Sequence, residues 1–198
     1  MIFISGVSYS MRTVLLSLCL LGAASAACMA PAFADETEDC SHFTWDVSHE
    51  LAVMKQTAKP ITAATRPGAG TPLLLVDTLY ELKLAPQGTV TYSVKPAKPM
   101  PDDGAQGGLV RFHIEQPGLY RISITSRHWI DVIEGEQPIK SKDFQGSRGC
   151  ARPHKIVEFD LPAHKDLVLQ LSGSTDPSVT LAITPVAAPA PVAAPAAH

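Results

Sequence analysis

The stretch VRFHIEQPGLYRISI, residues 110–124, decides the fold. Val110, Phe112 and Ile114 alternate with Arg111 and His113, and Tyr120, Ile122 and Ile124 alternate with Arg121 and Ser123. An apolar residue at every second position is what a strand with one buried face requires, because successive side chains point to opposite sides of a pleated sheet. Between the two runs, Gln116-Pro117-Gly118 supplies the fixed φ of proline and the freedom of glycine that a reversal needs. The spacing therefore predicts a hairpin.

The same period continues outward. Upstream, Tyr80, Leu82 and Leu84 alternate with Glu81 and Lys83, and Val90, Tyr92 and Val94 with Thr91 and Ser93. Downstream come Ile130 and Val132, then Val157, Phe159 and Leu161, then Leu167, Leu169 and Leu171, then Val179, Leu181 and Ile183. Turn residues separate them, including Pro86-Gln87-Gly88 and Gly173 to Pro177. About eight short strands, each with one apolar row, predict an all-β chain folded as a two-layer antiparallel β-sandwich of jelly-roll type. One short helix is expected before it, with Asp46 as N-cap and Val47, Leu51 and Met54 on one face. Ile61 to Thr71 reads as a connecting arm, and Lys95 to Gly108 as a second irregular stretch.

The ends of the chain differ from this middle. Arg12 is the only charge before Asp35, an apolar run from Val14 to Ala24 follows it, and Ala32-Phe33-Ala34 closes the segment. A positive charge, a short apolar stretch and an A-x-A site describe a secretory signal cleaved after Ala34. The run is shorter than the roughly 20 apolar residues of a membrane span. Translation starts at Met1 or Met11. Cys28 as a lipoprotein site lacks the usual branched residue three places earlier, and Pro31 argues against an uncleaved anchor. At the other end, Pro185 to Ala197 nearly repeats PVAAPA and reads as an extended, disordered tail. The expected organisation is a signal over 1–34, a helix and arm over 35–72, the sandwich over 73–185 and the tail over 186–198.

Export sets the reading of the cysteines. Of four, Cys19 and Cys28 leave with the signal, and Cys40 with Cys150 remains. An even count in an oxidising compartment reads as a disulfide, with two free buried thiols as the alternative. Closing a loop of about 110 residues contributes roughly 4–5 kcal/mol in the chain-entropy view. The net charge is −3, one more negative once Arg12 is removed. Such mild acidity points to neither nucleic acid nor an anionic membrane.

Signatures of catalysis are weak. Gly146-Ser147-Arg148-Gly149 is not the G-x-S-x-G nucleophile elbow, and the seven histidines form no H-x-H, H-x₃-H or H-E-x-x-H pattern. Asp102-Asp103-Gly104 lacks the alternating acidic ligands of a calcium loop. No catalytic residue, metal ligand or cofactor is assigned on these grounds.

The most distinctive segment is Arg127 to Pro153 and the residues just after it. Trp129, Asp131 and Ile133 lie opposite the core row of their strand, and Lys140, Lys142, Arg148, Arg152 and Lys155 follow with only Asp143 against them. An aromatic platform beside a basic loop is able to stack a sugar or hold an anionic group. Against this stands a plainer reading, in which Trp129 packs under the loop and the cations are simply solvated.

Several of these motifs resemble a known family. G-L-Y-R-I-S-I (Gly118 to Ile124), Asp131-Val132 and L-V-L-Q-L-S-G (Leu167 to Gly173) resemble bacterial pre-peptidase C-terminal domains, β-sandwiches attached to secreted peptidases. The segment Cys40 to Trp45, W-I-D-V (Trp129 to Val132) and Cys150 to Phe159 are similar to uncharacterised exported β-sandwich proteins of proteobacteria. The resemblance implies a fold and a location, and this chain departs from the peptidase-attached domains in having no catalytic domain beside it. The expectation is an exported, non-catalytic binding or accessory module of the cell envelope, periplasmic or secreted. Its partner would be an envelope glycan or another protein. A hydrolase or metal-handling protein with a site assembled in space, and a structural envelope protein with the tail as spacer, are the alternatives.

Overall fold

A computed structural model describes residues 39–98 and 104–186. The expected signal and cleavage site, Asp102, Asp103 and nearly all of the expected tail lie outside the described residues. The elements are helix α1 (Ser48–Met54) and strands β1 (Lys59–Thr62), β2 (Leu73–Leu74), β3 (Tyr80–Lys83) and β4 (Ala85–Pro86), followed by a 3₁₀ turn (Gln87–Thr89). Strands β5 (Gln106–Ile114), β6 (Gly118–Ile124), β7 (Trp129–Glu134), β8 (Gln137–Ile139), β9 (Asp143–Gly146), β10 (Lys155–Leu161), β11 (Lys165–Ser174) and β12 (Ser178–Pro185) complete them.

The strands make two sheets. The first runs β1-β3-β12-β6-β10-β9, and the second runs β2-β5-β11-β7-β8 with β4 also on β5. Pairing is antiparallel except at one edge of each sheet, where β1 runs parallel to β3 and β2 parallel to β5. The expected inward rows meet in one cluster. Val110, Phe112 and Ile114 of β5 and Leu167, Leu169 and Leu171 of β11 join Tyr120, Ile122 and Ile124 of β6 and Val157, Phe159 and Leu161 of β10. Burying side chains of this size stabilises the fold by about 1.5–3 kcal/mol each. The chain is an all-β sandwich.

The structure corrects several expectations. Ile114 to Tyr120 is not a hairpin, because β5 lies in the second sheet and β6 in the first. Pro117-Gly118 is a corner that hands the chain from one layer to the other, braced by the Tyr120 hydroxyl donating to the Gln116 carbonyl at 2.8 Å. The tight hairpin is β7–β8, where Glu134 pairs with Gln137 and Gly135 takes φ 60°.

Residues 90–94 form no strand. Their backbone is instead held by one side chain, as the Ser93 and Val94 N–H groups donate to Gln170 Oε1 at 2.8 and 3.3 Å. Gln170 Nε2 donates in return to the Val94 carbonyl at 3.0 Å, and the Tyr92 hydroxyl to the Leu171 carbonyl at 2.9 Å. Buried peptide groups need partners, and here a side-chain amide replaces a ladder. With its continuation to Lys98, the segment is a strap across the outer face of the second sheet. Gly107 admits it, because a Cβ there would run into the Tyr92 hydroxyl, while a Cβ on Gly108 would lie 2.5 Å from Ala63 Cβ, which packs on that glycine instead. Both glycines belong to β5 rather than to an irregular stretch.

The expected arm belongs to the sandwich, since β1 extends the first sheet alongside β3. Asp46 does not cap the helix in the expected way. Val47 occupies the N-cap, and Asp46 Oδ1 accepts from the Ser48 N–H at 3.0 Å.

The largest departure is a third layer. Helix α1 and the segment before it cover the outer face of the first sheet, so residues on the solvent parity of β6, β10 and β12 are buried there. Phe43, Val47, Cys150 and Ile156 form one cluster, and Val53, Met54, Leu79 and Ala182 another. Cys40 and Cys150 are joined, with Cα atoms 4.7 Å apart, which ties the start of this layer to the loop after β9. A disulfide marks a chain matured in an oxidising compartment. Among the described residues no helix is long and apolar enough to cross a membrane.

Candidate functional site

Strand β7 carries Trp129 and Asp131 on the face away from the core, as expected, although Ile133 in the same row is fully buried. Trp129 is fixed rather than loose. Its indole Nε1 donates to Asp131 Oδ1 at 2.9 Å, and Asp131 Oδ2 accepts from the Ala97 N–H of the strap at 3.3 Å. Lys98, next along the strap, holds its ammonium 5.9 Å from the indole centroid, a cation–π approach. The strap that replaced an expected strand thus positions the aromatic residue. Trp129 remains 36% exposed.

Phe144 of β9 is the second open aromatic ring, 67% exposed. Because β7 belongs to the second sheet and β9 and β10 to the first, residues from both layers meet around a shallow pocket of about 110 Å³. Trp129, Ile130, Ser141, Phe144, Lys155 and Val157 line it. Lys155 Nζ donates to the His128 carbonyl, which aims the ammonium inward. Burial, with the charge of Lys98 adding to it, pulls the Lys155 amine down to about 8. The pocket can offer a ligand two aromatic faces, one hydroxyl and a cation that titrates above neutrality.

No known protein family matches the chain, and no curated protein is similar to it in sequence.

Other expected members of the basic loop are dispersed. Lys140 and Arg148 are exposed, Lys142 is paired with Asp160 Oδ2 at 3.3 Å, and Arg152 lines a different depression with Cys40, Leu51, Met54 and Lys55. Phe144 and Lys98 were not foreseen. Phe144 was legible as an aromatic residue in an otherwise polar run, whereas Lys98 reaches Trp129 only through the strap.

Behind the pocket, Ser126 Oγ lies 2.7 Å from His128 Nδ1, with both residues buried. Burial holds the His128 imidazole down at about 4, against the opposing pull of Asp176. The pair resembles a nucleophile and its base, but His128 has no surface in contact with solvent, so no substrate carbonyl reaches it in this fold. It is a structural contact that backs the Lys155 anchor.

A second charged cluster is closed in the same way. Arg121 donates to Glu158 Oε1 at 2.8 Å, to Glu50 Oε2 at 3.3 Å and to the Asp46 carbonyl at 2.6 Å. Trp45 covers its guanidinium at 4.7 Å, and Thr184 donates to Glu50 Oε1 at 3.0 Å. Arg121 was expected on the solvent row, and Glu158 alternates with the inward Val157 and Phe159 in the same way. The third layer buries them, and they hold that layer down.

Proposed function

We propose that the protein is an exported, non-catalytic binding module of the cell envelope. Its ligand is an acidic glycan taken at the Trp129–Phe144–Lys155 pocket. The observation that carries this reading is an open pair of aromatic rings beside a half-buried cation. Exposed rings of this kind stack on the apolar faces of sugar rings, and a desolvated ammonium favours a carboxylate or similar group. Asp131, Lys98 and the strap pre-orient Trp129, so little side-chain entropy is lost on binding. The signal-like N-terminus and the disulfide support a periplasmic or secreted location.

The test is a titration of the purified chain with uronic-acid oligosaccharides and with neutral oligosaccharides of equal length. Acidic ligands are expected to bind more tightly, and W129A and F144A to weaken them at least about tenfold with thermal midpoints unchanged, as expected for aromatic anchors. Absence of binding to both ligand classes, or binding indifferent to W129A, would contradict the proposal. Capture of a partner protein at the same rings, with no glycan bound, would transfer the site to protein recognition.

A further inference from the structure

We propose that His113, Glu115 and His164 bind one divalent transition-metal ion of the zinc class on the outer face of the second sheet, with Asp166 orienting His113. The site is separate from the aromatic pocket and does not rest on the glycan reading. Its logic is the meeting of two strand ends, the last residues of β5 and the first of β11. His113 lies next to the end of β5 with Glu115 just past it, and Asp166 is the second residue of β11 with His164 just before it. His113 and Asp166 are direct cross-strand partners. Extending that register by two places sets His164 opposite Glu115, where the His164 N–H donates to the Ile114 carbonyl at 2.7 Å.

The atoms are arranged as a metal would need them. One ligand atom from each of His113, Glu115 and His164 lies within 4.8 Å of the other two. His113 Nε2 is 3.7 Å from Glu115 Oε1, and His164 Nδ1 is 3.9 Å from Glu115 Oε2. Tetrahedral zinc with bonds near 2.0–2.1 Å sets its ligands about 3.3 Å apart, so small side-chain movements close the site. Glu115 and His164 are exposed and free to make them.

His113 Nδ1 stands 2.7 Å from Asp166 Oδ1. When Nδ1 carries the proton and donates to that carboxylate, Nε2 presents its lone pair toward Glu115, the carboxylate–histidine arrangement that orients metal ligands. His164 holds φ 53°, a left-handed conformation that side-chain-bearing residues adopt sparingly and histidine more readily than most. That conformation turns the chain into β11 with the imidazole facing Glu115. Two imidazoles and a carboxylate favour zinc, copper or nickel over calcium or magnesium. Three protein ligands leave a coordination position for water or for a donor from a bound partner.

The test uses the chain without a histidine tag, stripped of metal and titrated with Zn²⁺ against a chromophoric chelator. One ion per chain is expected, with the imidazole resonances of His113 and His164 shifting together. H113A and H164A are expected to weaken binding at least about tenfold, and D166N by about 10–100-fold. D166E should restore most of the loss, and the metal-free D166N chain should melt as the wild type does. H42A and H49A serve as controls and should leave the affinity unchanged. No zinc bound by the wild type, or binding undiminished in the H113A/H164A double variant, would overturn the proposal.

Discussion

Arg121 carries its charge inside the molecule between two carboxylates, under an indole and against a backbone carbonyl. Removing one partner from such a cluster leaves the others buried without compensation, which costs far more than losing a surface ion pair. R121A is therefore expected to destabilise the chain by about 3–5 kcal/mol, read from chemical denaturation. A loss below about 1 kcal/mol would mean that the cluster is solvated. Alternation in the sequence says which face of a strand Arg121 and Glu158 occupy. It does not say whether a further layer covers that face, and this is why both read as solvent residues. Lys155 answers to a different variable. Its amine is pulled down to about 8, so the cation is present below that pH and fades above it. Affinity for an acidic ligand is expected to be full near pH 6.5 and to fall as pH rises through about 8, while binding to K155M stays flat across that window. An unchanged wild-type affinity at pH 9.5 would separate Lys155 from recognition.

At the level of elements, the strap over residues 90–98 links packing to the pocket. Its alternation at Val90, Tyr92 and Val94 matches that of the true strands, yet no ladder forms. Gln170, a polar residue on the outer row of β11, offers both an acceptor and a donor that satisfy the strap's peptides. Periodicity cannot distinguish a strand from a strap pinned by one amide. Nor can it assign a strand to a sheet: Ile114 and Tyr120 both face the core, from opposite layers. The turn chemistry at Pro117-Gly118 suits a corner between layers as well as a hairpin. Q170A is expected to cost about 1–3 kcal/mol by leaving those peptide groups unpaired. It should also speed hydrogen exchange at Ser93 and Val94 while the core strands keep their protection. Unchanged exchange at those two amides would show that the strap is held by other contacts. Because Asp131 is tied to Ala97, loosening the strap also loosens Trp129.

Across the whole molecule, two sheets share one apolar interior, and the N-terminal layer is fastened over one of them by the disulfide and the Arg121 cluster. The inward rows, the sandwich of two sheets and the cysteine pair were legible in the sequence, because each depends on local period or on compartment; the third layer was not. The aromatic pocket was legible only in part. Trp129, Asp131 and Lys155 were singled out and Phe144 of the same segment was passed over, whereas Lys98 arrives from a segment distant in sequence, and Arg152 and Lys142 were drawn elsewhere by tertiary contacts. Cys40 and Cys150 are 110 residues apart, so the bridge constrains much of the unfolded chain. C40S and C150S are expected to lower stability equally, by up to about 4–5 kcal/mol, and reduction should do the same. Unequal losses would show that one cysteine acts through packing instead.

The chain has two tryptophans, Trp45 and Trp129, so W45F leaves Trp129 as the sole indole reporter. Its emission, followed during titration with an acidic oligosaccharide, tests the proposed site most directly. The expected result is a saturable change in intensity and wavelength whose midpoint matches the calorimetric one and is lost in F144A. Calorimetric binding with the Trp129 emission unmoved would place the ligand elsewhere and contradict the account.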